Sequence, residues 1–414
     1  MGRKDDDRDR ALYEDSYDEA VAESETYNKR TCERLSCTWS DPAGKARSIA
    51  CPKCNEWAWV KKYGVKRTII TRFGEVSVFR NYYVCRCGHR FYPRDMEMGF
   101  DDDNLSRDVL NWVLDFVVTD TFEASRERLD LHHDIRFSAT KLKAVFERKS
   151  KPFADRKQPC PVVKLPVGTK RAHSPIMIQV DGSMVRHMDG WHETKLMRVQ
   201  AVGREDKLYL AEANDKDRFE AQLRESPGFA TLRNREVFWI ADGAPWIWKM
   251  KERLCPHARE LLDFYHVMEH GEAAASQAYG EGSDAASCFA NALTHRLIWK
   301  AKETVFDLVK EHIPYRPRKK IDKERAEIFG KLLAYLESNR ERLNYREFLK
   351  RGWPIGSGAI ESAHKSVLQK RMKLSGMKWS KKNAQRMATL RALRASVGPR
   401  TFTDTVLKSI RKAA

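Results

Sequence analysis

The polar and apolar positions of this chain change period several times, and each change predicts a different element. Residues 1–48 are polar and acidic with scattered aromatics, which predicts helix or a loose arm. In 49–100 the segments "RTIITRF" and "VSVFRNYYV" flank Gly74 at strand length and predict a β-rich block. Over 101–150 the spacing turns helical, with Val109, Leu110, Val113, Phe116 and Val117 on one face. "TFEASRERL" and the turn "DLHHDI" follow, and then Ser138 is placed to cap a third helix. That helix turns Leu142, Val145 and Phe146 inward and leaves Lys141, Lys143 and Arg148 outside. Three short helices with a basic last one fit a helix-turn-helix, whose final helix enters a major groove, and equally a plain three-helix bundle. Four prolines in 151–174 predict a linker.

Beyond Pro175 the pattern becomes that of alternating strands and helices. "IMIQVD" ends in Asp181, and "ETKLMRVQAV" and "KLYLAEA" flank the turn "GRED" as a hairpin. A short helix around Phe219 to Leu223 precedes "EVFWIAD", which ends in Asp242. "APWIWKMKERL" reads as helix, and "ARELLDFYH" as a strand with Asp263 and His266 at its end. Residues 267–350 have helical spacing and no strand, and the turn "GWPIGSG" then leads into a helix opening at Glu361. This order is that of an RNase H-like mixed α/β sheet. On that reading 175–266 and 351–395 form the core, 267–350 is an all-helical insertion, and 396–414 is a basic tail.

Charge sharpens the picture. The formal net charge is +19, and Glu361 to Ala414 alone holds 14 Lys and Arg against two acids. A basic segment on a chain that is 42% apolar predicts phosphate neutralisation, hence a nucleic-acid partner, with an acidic membrane surface as the weaker alternative. No apolar run approaches a membrane span and the first residues lack a signal-peptide core, so a soluble intracellular protein is expected. Cys32 and Cys37 read as free thiols. "CPKC" at 51–54 and "CRCGH" at 85–89 sit at the ends of the predicted strands, as in a zinc ribbon. Cys51, Cys54, Cys85 and Cys87 are its candidate ligands, and His89 is an alternative to either cysteine of the shortened second pair.

Asp181 and Asp242 each end an apolar run and precede Gly, a pattern shared with ordinary Asp-Gly turns. Glu361 also suits a first-turn cap, since the helix dipole is positive there. In the predicted fold, however, the ends of the first and fourth strands are neighbours and the last helix crosses beside them. Three converging carboxylates suit two Mg²⁺ (or Mn²⁺) ions, which retain water and accept phosphate oxygens. Lys365 and Gln369 would then face DNA, with Ile360, Ala363 and Val367 toward the sheet. Arg371, Lys373, Lys378, Lys381 and Lys382 are further candidates for phosphate contacts. Trp246, Trp248, Trp353 and Trp379 are either core residues or platforms for unpaired bases.

"VDGS", "ADGAPWIW", "LLDFYHVMEH" and "RGWPIGSGAIESAHKSVLQKRMKLSGMKW" resemble successive blocks of bacterial insertion-sequence DDE transposases of the ISKra type, distant relatives of Mutator and hAT elements. The resemblance runs from about Cys51 to Arg394. It implies an RNase H-like, metal-dependent transposase with Asp181, Asp242 and Glu361 as its acidic triad and a helical insertion between the last two. It further implies that Asp263 and His266 position the flanking strand. The short second cysteine pair departs from the family pattern. The expected activity is cleavage at element ends and transfer of the freed 3′-hydroxyl to target DNA, by a homodimer that the resemblance implies is cytoplasmic and nucleoid-associated in a prokaryote. A DNA-binding derivative without catalysis and an RNase H-like structure-specific nuclease are the alternatives.

Overall fold

The computed structural model describes residues 3–42, 47–100, 102–154, 164–165, 174–213 and 215–411. Most of the predicted linker therefore lies outside the described residues. The chain divides into two compact units, one of 1–117 with 122–145 and the other of 118–121 with 146–414. Both are mixed α/β, each with one sheet.

In the first unit the polar N-terminal segment is a helix, α1 (Arg3–Trp39). It is followed by an antiparallel sheet in the order β1 (Ser48–Ala50), β2 (Trp57–Thr71), β3 (Gly74–Cys85), β4 (Arg90–Phe91). Cys32, Leu35 and Trp39 fall on one side of α1 at helical spacing, and they pack on Ile69, Val76 and Val78 of the β2–β3 hairpin. The Asp41 carboxylate then accepts from the Asn81 N–H at 2.5 Å. The segment expected as an arm thus has its second half docked on the strands, because a sparse apolar stripe suffices for that. Cys32 and Cys37 are both free, and the Cys32 thiol donates to the Phe73 carbonyl at 3.2 Å. After α2 (Pro93–Met98) come α3 (Arg107–Thr119), α4 (Phe122–His133) and α5 (Ala139–Ala154). The predicted inner residues Val109, Leu110, Val113, Phe116, Val117, Leu142, Val145 and Phe146 are all buried. The boundaries between the units fall within α3, at the start of α4 and within α5.

The second unit is built on a five-stranded sheet in the order β7-β6-β5-β8-β9. β5 (Ile176–His187), β6 (Gly190–Ala201) and β7 (Lys207–Glu212) form an antiparallel meander. After α6 (Lys216–Arg224) and a 3-10 turn, β8 (Val237–Ala241) joins β5 in parallel. α7 (Pro245–Leu254) then crosses to β9 (Arg259–Leu262), parallel to β8. β8 is buried at every position, as expected of a strand covered on both faces.

The next segment is helical throughout: α8 (Phe264–Tyr279), α9 (Asp284–Trp299), α10 (Glu303–Glu311), α11 (Lys320–Ser338), a 3-10 turn and α12 (Tyr345–Lys350). The chain returns to the sheet through α13 (Gly358–Ala363), a π-helical stretch His364–Gln369, and the single turn α14 (Lys370–Met372). α15 (Lys381–Val397) and α16 (Pro399–Arg411) complete the unit.

Candidate acidic site and cysteine cluster

Strand register assembles the acidic site. β5 and β8 pair from Ile176↔Val237 to Gln179↔Ile240, so continuing the register two residues sets Asp181 beside Asp242. β8 and β9 pair as far as Ala241↔Leu262, and one further step sets Asp242 beside Asp263. The Asp263 N–H donates to the Ala241 carbonyl at 2.8 Å, which holds that step. Three aspartates thus stand in a row across adjacent parallel strands, whose spacing is about 4.8 Å.

The glycine-rich turn brings in the fourth acid. Gln179, wholly buried on β5, donates to the Gly356 carbonyl at 3.2 Å and accepts from Arg198 at 2.7 Å. A Cβ at Gly356 would lie 2.5 Å from the Tyr265 ring, so only glycine lets the turn approach this closely. Ser357 then joins two acids: its N–H donates to Asp263 Oδ1 at 2.8 Å, and its Oγ lies 2.8 Å from both Asp263 Oδ2 and Glu361 Oε1. Glu361, on the first turn of α13, is exposed, Asp263 is buried, and Asp181 and Asp242 are half-buried.

Charge in the site is unbalanced. Burial raises the Asp181 pKa most, the Gly182 N–H draws it back, and Asp242, Glu361 and Glu193 raise it again, so it is pushed up to about 6. Among the described residues no Lys or Arg forms an ion pair with Asp181, Asp242 or Glu361. His364 Nε2 is 3.5 Å from Asp181 Oδ2. Burial foremost, then Lys373, holds that imidazole down to about 4 against the raising influence of the Asp181 backbone and Glu193. It is therefore neutral at pH 7 and balances no charge. The Tyr335 phenol, brought in by α11, is pushed well above its ordinary pKa by burial and then by Asp242 and Asp263.

An oxygen-rich set with excess negative charge fits hard divalent cations. The carboxylates of Asp181, Asp242 and Glu361 do not close to within 4.8 Å of one another; two other clusters among the described residues do.

Several expected residues stand elsewhere than anticipated. Asp181 does not end its strand: β5 continues six residues to His187. Asp263 caps α8, accepting from the Tyr265 N–H at 3.3 Å, and His266 lies in that helix's first turn rather than at a strand end, 3.4 Å from Glu269. Arg371 is a correction: it is 1% exposed, lies over the Trp379 ring at 5.2 Å and has its pKa lowered to about 10 by burial, so it offers no surface to phosphate. Trp248, Trp353 and Trp379 are core residues, and Trp246 is half-buried. Lys365, Lys373, Lys378, Lys381 and Lys382 are exposed and Gln369 half-buried. On α5, Lys143 and Arg148 are exposed, whereas Lys141 is half-buried, 4.2 Å from the Phe137 ring. Sequence reasoning missed Ser357, Glu193, Tyr335 and His364. Ser357 and His364 lie inside the quoted "GSGAIESAH", whereas Glu193 and Tyr335 carry no local signal.

The cysteine cluster is built in the first unit. The register Ala58↔Cys85 brings the end of β3 beside the start of β2, where Cys51 and Cys54 close a turn through Asn55. The Cys51 and Cys87 sulfurs are 3.9 Å apart, those of Cys54 and Cys85 are 3.5 Å apart, and all four lie within 4.8 Å of one another. A tetrahedral ion with Zn–S bonds of 2.3 Å has edges of about 3.8 Å, so four cysteines compatible with structural zinc are present. Gly88, at φ 82°, lets the short second pair turn back through its N–H to the Cys85 carbonyl. Burial raises the Cys51 thiol pKa, but the N–H groups of Cys54 and Lys53 and the thiols of Cys54 and Cys85 bring it down to about 7, whereas the Cys54 and Cys85 thiols are shifted upward. His89 instead stacks on Phe91 at 5.1 Å.

No helix among the described residues is long and apolar enough to cross a membrane. No protein-family model matches the chain, and no curated protein matches it.

Proposed function

We propose that the second unit is an RNase H-like catalytic core and that the chain is a DNA transposase of the DDE class. The observation that carries this reading is the gathering of Asp181, Asp242 and Glu361, from distant parts of the chain, where β8 ends beside β5. The strand order β7-β6-β5-β8-β9, with an antiparallel meander leading into parallel strands, supports the fold assignment.

Asp181, Asp242 and Glu361 would hold Mg²⁺, which when bound activates a water or 3′-hydroxyl and steadies the leaving oxygen of a phosphodiester. Ser357 keeps Glu361 in reach of the row, and Asp263 anchors Ser357. Neutral His364 closes the inner side beside Asp181 without competing for its charge. Lys365, Lys373, Lys378 and Lys382 meet DNA phosphates, and the four cysteines hold a structural Zn²⁺ that fixes the ribbon. The element's ends and target DNA are the partners, bound by a homodimer.

The test is incubation of the purified protein with a plasmid carrying its native flanking DNA, with Mg²⁺, with Mn²⁺ or with neither, beside Glu361→Gln. Metal-dependent cleavage at element ends is expected, with a loss of at least about 100-fold in the variant. Binding without cleavage under every condition would instead favour a DNA-binding protein, and cleavage by the variant at the wild-type rate would remove Glu361 from the site.

A further inference from the structure

The tip of the β5–β6 hairpin gathers a second set of metal-ligand side chains, unrelated to the acids and to the cysteines. The last strand pair is His187↔Gly190, so Met188 and Asp189 form a two-residue turn. His192 is paired with Val185. Residues two apart on a strand share a face, so His187 and His192 are diagonal neighbours on one face. Their rings are 4.6 Å apart, and the Asp189 carboxylate is 3.0 Å from His192 Nε2. One ligand atom from each of His187, Asp189 and His192 lies within 4.8 Å of the other two.

A second observation is independent of that grouping. A hairpin tip is normally where a polar ring reaches water, yet His187 is 2% exposed and its Nε2 has no hydrogen-bond partner. The segment before α15 closes over it: the Met188 N–H donates to the Trp379 carbonyl at 3.0 Å, and the Trp379 N–H to the Arg186 carbonyl at 3.1 Å. A buried imidazole set beside a second imidazole and a carboxylate is the arrangement that a metal ion satisfies.

We propose that His187, Asp189 and His192 bind a divalent transition-metal ion of the zinc class, and that this ion locks the hairpin tip beneath the Trp379 segment. Two imidazoles with one carboxylate suit a borderline ion, whereas Mg²⁺ and Ca²⁺ favour oxygen-only sets. Three protein ligands leave a fourth position for water or a polar group. The site stands six residues along β5 from Asp181, about 20 Å at the rise of a strand, so it is separate from the acidic row.

The full-length protein is loaded with Zn²⁺, freed of excess by gel filtration, and its bound metal counted by mass spectrometry beside Asp189→Ala and His192→Ala. Each variant is expected to hold one ion fewer per chain than wild type, while Cys54→Ser/Cys87→Ser retains the hairpin ion. Asp189, with 69% of its side chain exposed, carries the test if His192→Ala fails to fold. Co²⁺ supplies a second readout: in the cysteine variant it should give d–d absorption without thiolate charge transfer, abolished by adding Asp189→Ala. Equal metal counts in wild type and Asp189→Ala, or cobalt bands indifferent to Asp189, would reduce the cluster to a hydrogen-bonded His–Asp pair.

Discussion

Asp181 occupies a position that disfavours its own charge. With its pKa raised from 3.8 to about 6, the folded chain keeps a proton that the unfolded chain releases between these values. The stabilisation is complete below about pH 4 and is lost as pH rises through about 6, so ionised Asp181 costs the fold at most about 2–3 kcal/mol at neutral pH. Asp181→Asn should therefore raise the melting temperature at pH 7.5 in magnesium-free buffer, by about 2–4 °C, and the advantage should shrink toward pH 4. Added Mg²⁺ should stabilise wild type and leave the variant less affected. Thermal melts across pH check this, and coincident curves at pH 7.5 would mean that ionised Asp181 carries no penalty from burial or from the neighbouring acids. Arg371 stands in the same relation to its surroundings, since burial also disfavours its charge. Sequence alone places it among exposed lysines, but its partners, Trp379 and Met377, become visible only when the chain folds back.

At the scale of elements, the segment carrying Glu361 is the least regular. After α13 the helix widens into the π-helical stretch His364–Gln369, in which hydrogen bonds span one residue more than in an α-helix. Arg391 of α15 occupies the opening: its guanidinium donates to the Ser366 carbonyl at 2.6 Å and also to those of Val367 and Val118. Arg391→Met would leave buried carbonyls unpaired, so a loss of about 1–3 kcal/mol or more is expected, measured by urea denaturation. Tightening to an α-helix would also turn Lys365 and Gln369 relative to Glu361, and a DNA-cleavage assay at a temperature where the variant remains folded would detect that separately. Nothing in "ESAHKSVLQK" announces the wider turn, because it depends on a residue more than twenty positions away. The strands of the second unit were legible, since β8 is apolar throughout and the acids stand immediately beyond apolar runs. The outer half of β5 was not: its alternation reads Met184, Val185, Arg186, His187, with the larger apolar residue exposed and a histidine in a buried place. For Asp263 the sequence allows either a site residue or a helix cap, and the structure shows it capping α8 directly after the short β9.

For the molecule as a whole, the proposed DNA binding together with a net charge of +19 predicts an affinity that depends on salt. Binding to a duplex of random sequence should weaken as NaCl rises from 50 to 200 mM, linearly on logarithmic axes. Lys382→Ala should flatten that slope by about 1, as read by fluorescence anisotropy. An unchanged slope would place Lys382 away from the backbone. The organisation of charge was more legible than its geometry: the basic C-terminal stretch is evident in sequence, but its arginines divide between solvent and interior, with Arg400 exposed and Arg371 and Arg391 buried. The same stretch closes the sheet. β7 is an edge strand, and its outward backbone groups are met by side chains of α15: Ser396 Oγ accepts from the Tyr209 N–H at 2.8 Å, Gln385 accepts from the Ala213 N–H at 2.7 Å, and Gln385 also donates to the Ala211 carbonyl at 3.3 Å. During synthesis these partners arrive nearly two hundred residues after the strand they cover. Until then the nascent sheet presents an open ladder to any other growing chain, and the residues that protect it emerge from the ribosome only after Glu361, the last acid of the candidate site.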